Sequence, residues 1–185
     1  MSRAIDRIRS KKNSPGWSLT ASAKTDPMRR EITGFSNPLI KRVRSLREKK
    51  HRKREGLFLA EGLRILTEAR EAGFLPEMLF RCTDRDAHSL EIALEGEVLA
   101  AGGDVIETSA DILSKLSGKD NPQTVIGVYR EMATPLESLD RNSAQIWLVA
   151  QAMRDPGNLG TMLRTGDAVG AGGLILLDDC TDPFS

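Results

Sequence analysis

Apolar positions along the chain fall into short runs whose spacing switches between the 3.6-residue period of helices and the two-residue period of strands. Leu39, Ile40, Val43 and Leu46 recur at i, i+1, i+4 and i+7, the spacing of one helical stripe. Ser36 or Asn37 ahead of Pro38 supplies a cap, with proline at the first helical position, where its missing N–H costs nothing. This pattern predicts one helix running on through His51 to Gly56, the glycine marking its exit. From Gly56 to Arg130, β-like runs alternate with helical ones: Leu57-Phe58-Leu59, a helix near 63–72, Met78-Leu79-Phe80, a helix near 89–101, then Val105-Ile106. Gly73 and Gly102-Gly103 stand at the expected C-caps. Ser109 or Thr108 can open a short helix holding Ile112, Leu113 and Leu116, and Val125 to Tyr129 supplies a last strand. These elements describe a small three-layer α/β domain over residues 31–131.

Residues 132–143, with Pro135 and several polar side chains, read as a linker. A second α/β unit occupies 144–185. Ile146 to Ala150 is a nearly continuous apolar strand, as in a parallel sheet covered on both faces, and it feeds a loop from Arg154 to Gly160 that opens a helix to about Ala168. Leu174 to Leu177 follows as a second strand. One β-α-β unit leaves a sheet face uncovered and cannot bury much apolar surface. It is therefore expected to continue beyond Ser185, or to lean on the first domain or another subunit.

Charge changes the picture more than composition does. Residues 1–54 carry 17 Lys and Arg against four acidic residues, whereas the remaining 131 carry 10 against 22, so a formal net charge of +1 hides a polycation joined to a polyanion. Between positions 41 and 54 stand nine basic residues and one acidic one: Lys41, Arg42, Arg44, Arg47, Lys49, Lys50, Arg52, Lys53 and Arg54 against Glu48. Such a run is often just a solvated face. Its one-signed density favours phosphate contact, since each neutralised phosphate releases condensed counterions. Residues 1–30, rich in Ser, Lys and Arg without an apolar period, read as a disordered basic arm. Its Trp17 is an incidental aromatic or a base-stacking one.

Other classes are excluded or disfavoured. The longest apolar runs are far shorter than the roughly 20 residues that span a bilayer, and no secretory signal pattern is present, so a cytoplasmic protein is expected. The cationic helix lacks Trp or Phe anchors for a membrane surface. Cys82 and Cys180 stand alone, suggesting neither a zinc site nor a disulfide framework, and no metal is expected. Gly157 and Gly160 form only GxxG, not a dinucleotide fingerprint. Asp155 and Asp167 read as turn and helix-surface groups rather than a carboxylate pair.

The segment Asp155-Pro156-Gly157-Asn158-Leu159-Gly160-Thr161-Met162-Leu163-Arg164-Thr165-Gly166-Asp167-Ala168-Val169-Gly170-Ala171 resembles the first signature motif of the SpoU/TrmH branch of the SPOUT RNA 2′-O-ribose methyltransferases. Ser36-Asn37-Pro38-Leu39-Ile40-Lys41, Lys49-Lys50, Gly56-Leu57-Phe58-Leu59-Ala60-Glu61-Gly62 and Asn121-Pro122-Gln123 resemble that family's L30e-like substrate-binding domain. The resemblance implies that residues 31–131 grip structured, ribosomal RNA and that residues 144–185 begin an α/β-knot methyltransferase domain using S-adenosylmethionine. Arg164 and Asn158 match the motif arginine and asparagine. Arginine is too basic for ready proton abstraction, which favours phosphate anchoring and hydroxyl positioning for Arg164, with Asn158 holding the loop or contacting the arginine. Outside the motif the two would pass for an exposed helix position and a plain N-cap. The family's two later donor-binding motifs do not occur, so the cofactor-binding residues are expected beyond Ser185 and this chain alone is expected to be inactive. A homodimer is implied for a full-length member only. The alternative is a non-enzymatic L30e-like RNA-binding module.

Overall fold

The computed structural model describes residues 28–132 and 135–185, and these form two compact units, one ending at Glu131 and the other beginning at Met132. The expected arm up to position 27, with Trp17, lies outside the described residues.

The first unit is a five-stranded mixed sheet between two helical layers. In chain order it contains β1 (Arg29–Glu31), α1 (Pro38–Ser45), α2 (Lys49–Glu55), β2 (Leu57–Glu61), α3 (Leu63–Glu71), β3 (Met78–Cys82), α4 (Ser89–Ala100), β4 (Asp104–Thr108), α5 (Ala110–Ser117) and β5 (Val125–Arg130). The strand order is β1-β4-β3-β5-β2. β4 runs parallel to β1 and β3, and β5 runs antiparallel to β3 and β2. Because successive strand side chains point to opposite faces, each central strand divides its apolar residues between two cores. Phe80, Ile106, Ile126 and Val128 join Ile40, Val43, Leu46, Ile112, Leu113 and Leu116 on one face. Leu79, Val105, Val125 and Tyr129 join Leu66, Leu94 and Val98 on the other. The layers are thus α1 and α5 on one side, α3 and α4 on the other.

Two expectations need correction. The arm was predicted to reach residue 30, yet Arg29–Glu31 pairs with Val105–Glu107 at the sheet edge. Carboxylates from the acidic part of the chain hold it there: Arg29 bonds Glu95 at 2.6 Å and Glu107 at 3.1 Å, and Arg30 bonds Asp104 at 3.3 Å. Arg81 bridges the same Glu95 and Glu107, and its hydrogen bond holds the Glu107 carboxyl below the usual range. The single helix predicted from Pro38 to Gly56 is two helices with a turn at 46–48, because the apolar stripe ends at Leu46 and a buried side chain of α2 seals the turn. The cap itself is as read: Asn37 Oδ1 accepts from Leu39 N at 2.9 Å.

The second unit holds two short 3-10 turns, then β6 (Leu148–Gln151), α6 (Pro156–Ala168) and β7 (Leu174–Leu177), with β6 and β7 parallel. Gly166 lets the helix close on the strand, since a Cβ there would lie 2.7 Å from Leu148 Cδ1. The alternating positions face away from α6, and of these Val149 and Leu177 are 55% and 45% exposed. No described helix is long and apolar enough to cross a membrane.

Tyr129 is the only tyrosine of the chain, and burial pushes its phenol up to about 12. Its ring stacks on Phe58 at 5.7 Å, and its hydroxyl is buried without a hydrogen-bond partner. A raised acid is protected below its unfolded value of about 10 and loses that contribution as pH rises through its folded value. The phenolate absorbance of the native chain should therefore appear with a midpoint near 12 and move to about 10 in urea. A native midpoint near 10 would mean that the ring is not buried.

Candidate nucleic-acid interface and motif helix

The nine cations of the sequence run meet three different fates. Arg42 and Arg54 converge on Glu55, at 2.6 and 3.0 Å. Hydrogen bonds from Arg42, then Arg54, hold that carboxyl below its usual range. Both guanidiniums are half-committed before any ligand arrives. Arg52 is corrected outright, for its side chain is buried and cannot serve as a surface contact. Its Nη1 donates to the Leu46 carbonyl at 2.9 Å and the Arg47 carbonyl at 2.7 Å, satisfying the carbonyls that the end of α1 leaves open. The remaining six, Lys41, Arg44, Arg47, Lys49, Lys50 and Lys53, are exposed.

Three of these six face a groove of about 720 Å³ beside the C-terminal end of α5. Lys41, Arg44 and Arg47 form one wall, and Lys115 and Lys119 the other, with Glu48 and Asp120 as the acidic members of the lining. The α5 wall is built by its cap. Gly118 is left-handed at φ +72° and ends the helix, and a Cβ there would lie 2.1 Å from the Arg47 guanidinium carbon, so only glycine lets that side chain rest where it does. Glu61 then fixes the loop that follows, accepting from Lys119 Nζ at 2.6 Å and Gln123 N at 2.8 Å. Sequence reasoning missed Lys115 and Lys119. No local charge run surrounds them, and only the strand order brings α5 beside α1.

In the second unit Asp155 is the N-cap of α6, accepting from Asn158 N at 2.6 Å, and Pro156 takes the first turn. Asn158 is therefore the third helical residue, not the cap, and it is exposed. Arg164 turns back toward the helix start: Nη2 donates to Thr161 Oγ1 at 3.1 Å, and Nη1 lies 3.3 Å from where a Gly160 Cβ would stand. Thr161 Oγ1 in turn donates to the Gly157 carbonyl at 3.0 Å. The guanidinium thus lies back over the middle turns of α6, the helix that follows the carboxyl edge of β6.

That edge is also where the backbone is strained. Among the described residues, Ala152 after β6 and Asp178 after β7 are the two non-glycine residues with positive φ, at 51° and 58°. Gln151 Nε2 donates to Asp178 Oδ2 at 2.7 Å across the strand ends. Held strain of this kind, at the carboxyl ends of parallel strands, is where α/β folds place ligand sites. Among the described residues, no group of three or more His, Cys, Asp or Glu is placed to hold a metal ion.

Residues 37–127 match the MRM3-like substrate binding domain. The chain is 31% identical over 157 residues to the Bacillus subtilis 23S rRNA (guanosine(2553)-2′-O)-methyltransferase RlmP, covering 84% of this chain and 58% of that protein. The chain is thus similar along most of its length to SpoU/TrmH-type rRNA methyltransferases. A Synechocystis member, an uncharacterised tRNA/rRNA methyltransferase, is 32% identical over 157 residues, with 83% of this chain and 55% of that protein aligned. The solved rRNA methyltransferase of Sinorhizobium meliloti superposes with a TM-score of 0.75 at 35% identity, over 85% of this chain and 58% of that one. The chain spans a little over half the length of these two curated relatives.

Replacing Arg52 tests the corrected role. Arg52→Ala removes two buried charge-assisted bonds and should lower stability by roughly 2–3 kcal/mol in urea denaturation. A loss within a few tenths would mean the turn after α1 holds without it.

Proposed function

We propose that this chain is the RNA-gripping and ribose-orienting part of an rRNA 2′-O-ribose methyltransferase. The observation that carries the reading is the exposed Arg164 guanidinium, laid back along α6 over Gly160 and Thr161. The alignment of a 2′-O-methyltransferase acting on 23S rRNA along most of this chain supports it. Lys41, Arg44, Arg47, Lys49, Lys50 and Lys53 take phosphates of the RNA, and the carboxylate-bound Arg42 and Arg54 contribute less.

Arg164 anchors a phosphate next to the target nucleotide and orients the ribose hydroxyl; its high basicity suits a fixed cation better than a proton acceptor. Asn158 shapes the opening turn of α6 and leaves its amide free to meet the nucleotide. S-adenosylmethionine, when bound, supplies a sulfonium-activated methyl group. The residues of the second unit do not enclose such a ligand by themselves. One face of the two-stranded sheet stays open at Val149 and Leu177, and a nucleoside needs walls on more than one side. The cytoplasm is the compartment that fits a bacterial rRNA substrate.

Two measurements test the reading. Calorimetric titration of the 185-residue chain with S-adenosylmethionine should give no heat at micromolar concentration; micromolar or tighter binding would place the donor site within this chain. Binding to a structured rRNA fragment should weaken steeply with salt. Arg44→Glu with Lys50→Glu should weaken it further, by on the order of tenfold. Salt-independent binding would remove the phosphate contacts from the proposal.

A further inference from the structure

The groove between α1 and α5 is two-sided, and its second wall was invisible in the charge run. We infer that it is a clamp for the RNA sugar–phosphate backbone, in which Lys115 and Lys119 oppose Lys41, Arg44 and Arg47. The inference rests on the RNA-binding reading above and adds residues that lie outside the basic segment.

Its size, charge and preorganisation point the same way. At about 720 Å³ the groove falls within the range of about 300–1,000 Å³ that ligand clefts occupy. Five cations face two carboxylates. Of the five, Lys119 is held by Glu61, and Lys41, Arg44, Arg47 and Lys115 form no ion pair among the described residues. Such clustered cations repel one another until an anion enters, so the site favours a ligand of repeated negative charge. Gly118 lacks a Cβ, which leaves the Arg47 guanidinium room to lie at the groove wall before any ligand arrives.

The lining also says which part of the RNA is gripped. It holds lysines, arginines, serines, one glycine and two acids, and no aromatic ring on which a base could stack. Contacts to phosphate fix register and orientation without reading sequence. The clamp therefore holds the strand in place and leaves choice of nucleotide to other surfaces.

The test is fluorescence anisotropy of the 185-residue chain with a labelled uridine homopolymer and with a structured rRNA fragment, each across a salt series. Lys115→Gln with Lys119→Gln should lower affinity for both RNAs by on the order of tenfold. The slope of log K against log salt should become shallower by about 1.4 on the homopolymer. Gly118→Ala, which displaces the Arg47 guanidinium, should give a several-fold loss in the same direction, and Arg64→Gln, on the opposite helical layer, no change. Should the wild-type chain bind RNA while the double variant keeps its affinity and slope, the clamp is wrong and the RNA-binding reading survives. Should the wild-type chain bind neither RNA, both fall. Loss on one RNA only, or competition by polyglutamate as effective as the homopolymer's, would equally overturn a backbone clamp.

Discussion

Repulsion among like charges is the constraint this fold is built around. Nine cations stand within positions 41–54, and a compact domain can keep them only by neutralising some, burying others in hydrogen bonds and spreading the rest over surface. All three solutions are present. Glu55 draws Arg42 and Arg54 together, Arg52 is spent on the carbonyls of Leu46 and Arg47, and Lys41, Arg44 and Arg47 are turned toward a shared groove. The acidic excess of the later chain serves the same end elsewhere, with Glu95, Glu107 and Asp104 pinning Arg29 and Arg30 to the sheet edge.

Strand order turns this local sorting into a binding surface. α1 follows the edge strand β1, whereas α5 leaves β4, and the pairing of β1 with β4 brings the two helices onto one face. Ile40, Val43 and Leu46 from α1 and Ile112, Leu113 and Leu116 from α5 share a core there, which sets the spacing of the two groove walls. The groove is thus a by-product of apolar packing. Its chemistry depends on which polar residues occupy the outer faces of those helices.

Local physics was readable and long-range pairing was not. The Asn37–Pro38 cap, the apolar runs of β2, β3 and β5 and the glycine at 56 each obey rules that act over a few residues, and each element stands close to where its pattern placed it. Arg29–Glu31 carries no strand pattern; it is a strand because β4 offers a ladder and carboxylates offer partners. The break at 46–48 was hidden because charge continues across it, and what ends α1 is the reach of Arg52 backward from the next helix. Lys115 and Lys119 were missed for the same reason: their relevance depends on residues some seventy positions away. Arg164 stands apart from both cases: only the resemblance of residues 155–171 to a family motif singles it out, and its spacing alone reads as an exposed helix position.

The geometry around Arg164 shows why that motif has the residues it has. The Arg164 guanidinium turns back along its helix onto the position four residues earlier, where Gly160 leaves room for the close approach of Nη1. Thr161 stands three positions earlier and supplies the acceptor, while its own proton is taken by the Gly157 carbonyl. Asp155 caps the first turn, so the backbone beneath the arginine is held before the arginine is. A side chain at 160 would crowd the guanidinium, with a Cβ at 3.3 Å from Nη1, and loss of the threonine would remove its hydrogen-bond acceptor. The glycine, the threonine and the cap therefore act together on one helix, holding its first turn and giving the cation a place to rest along it.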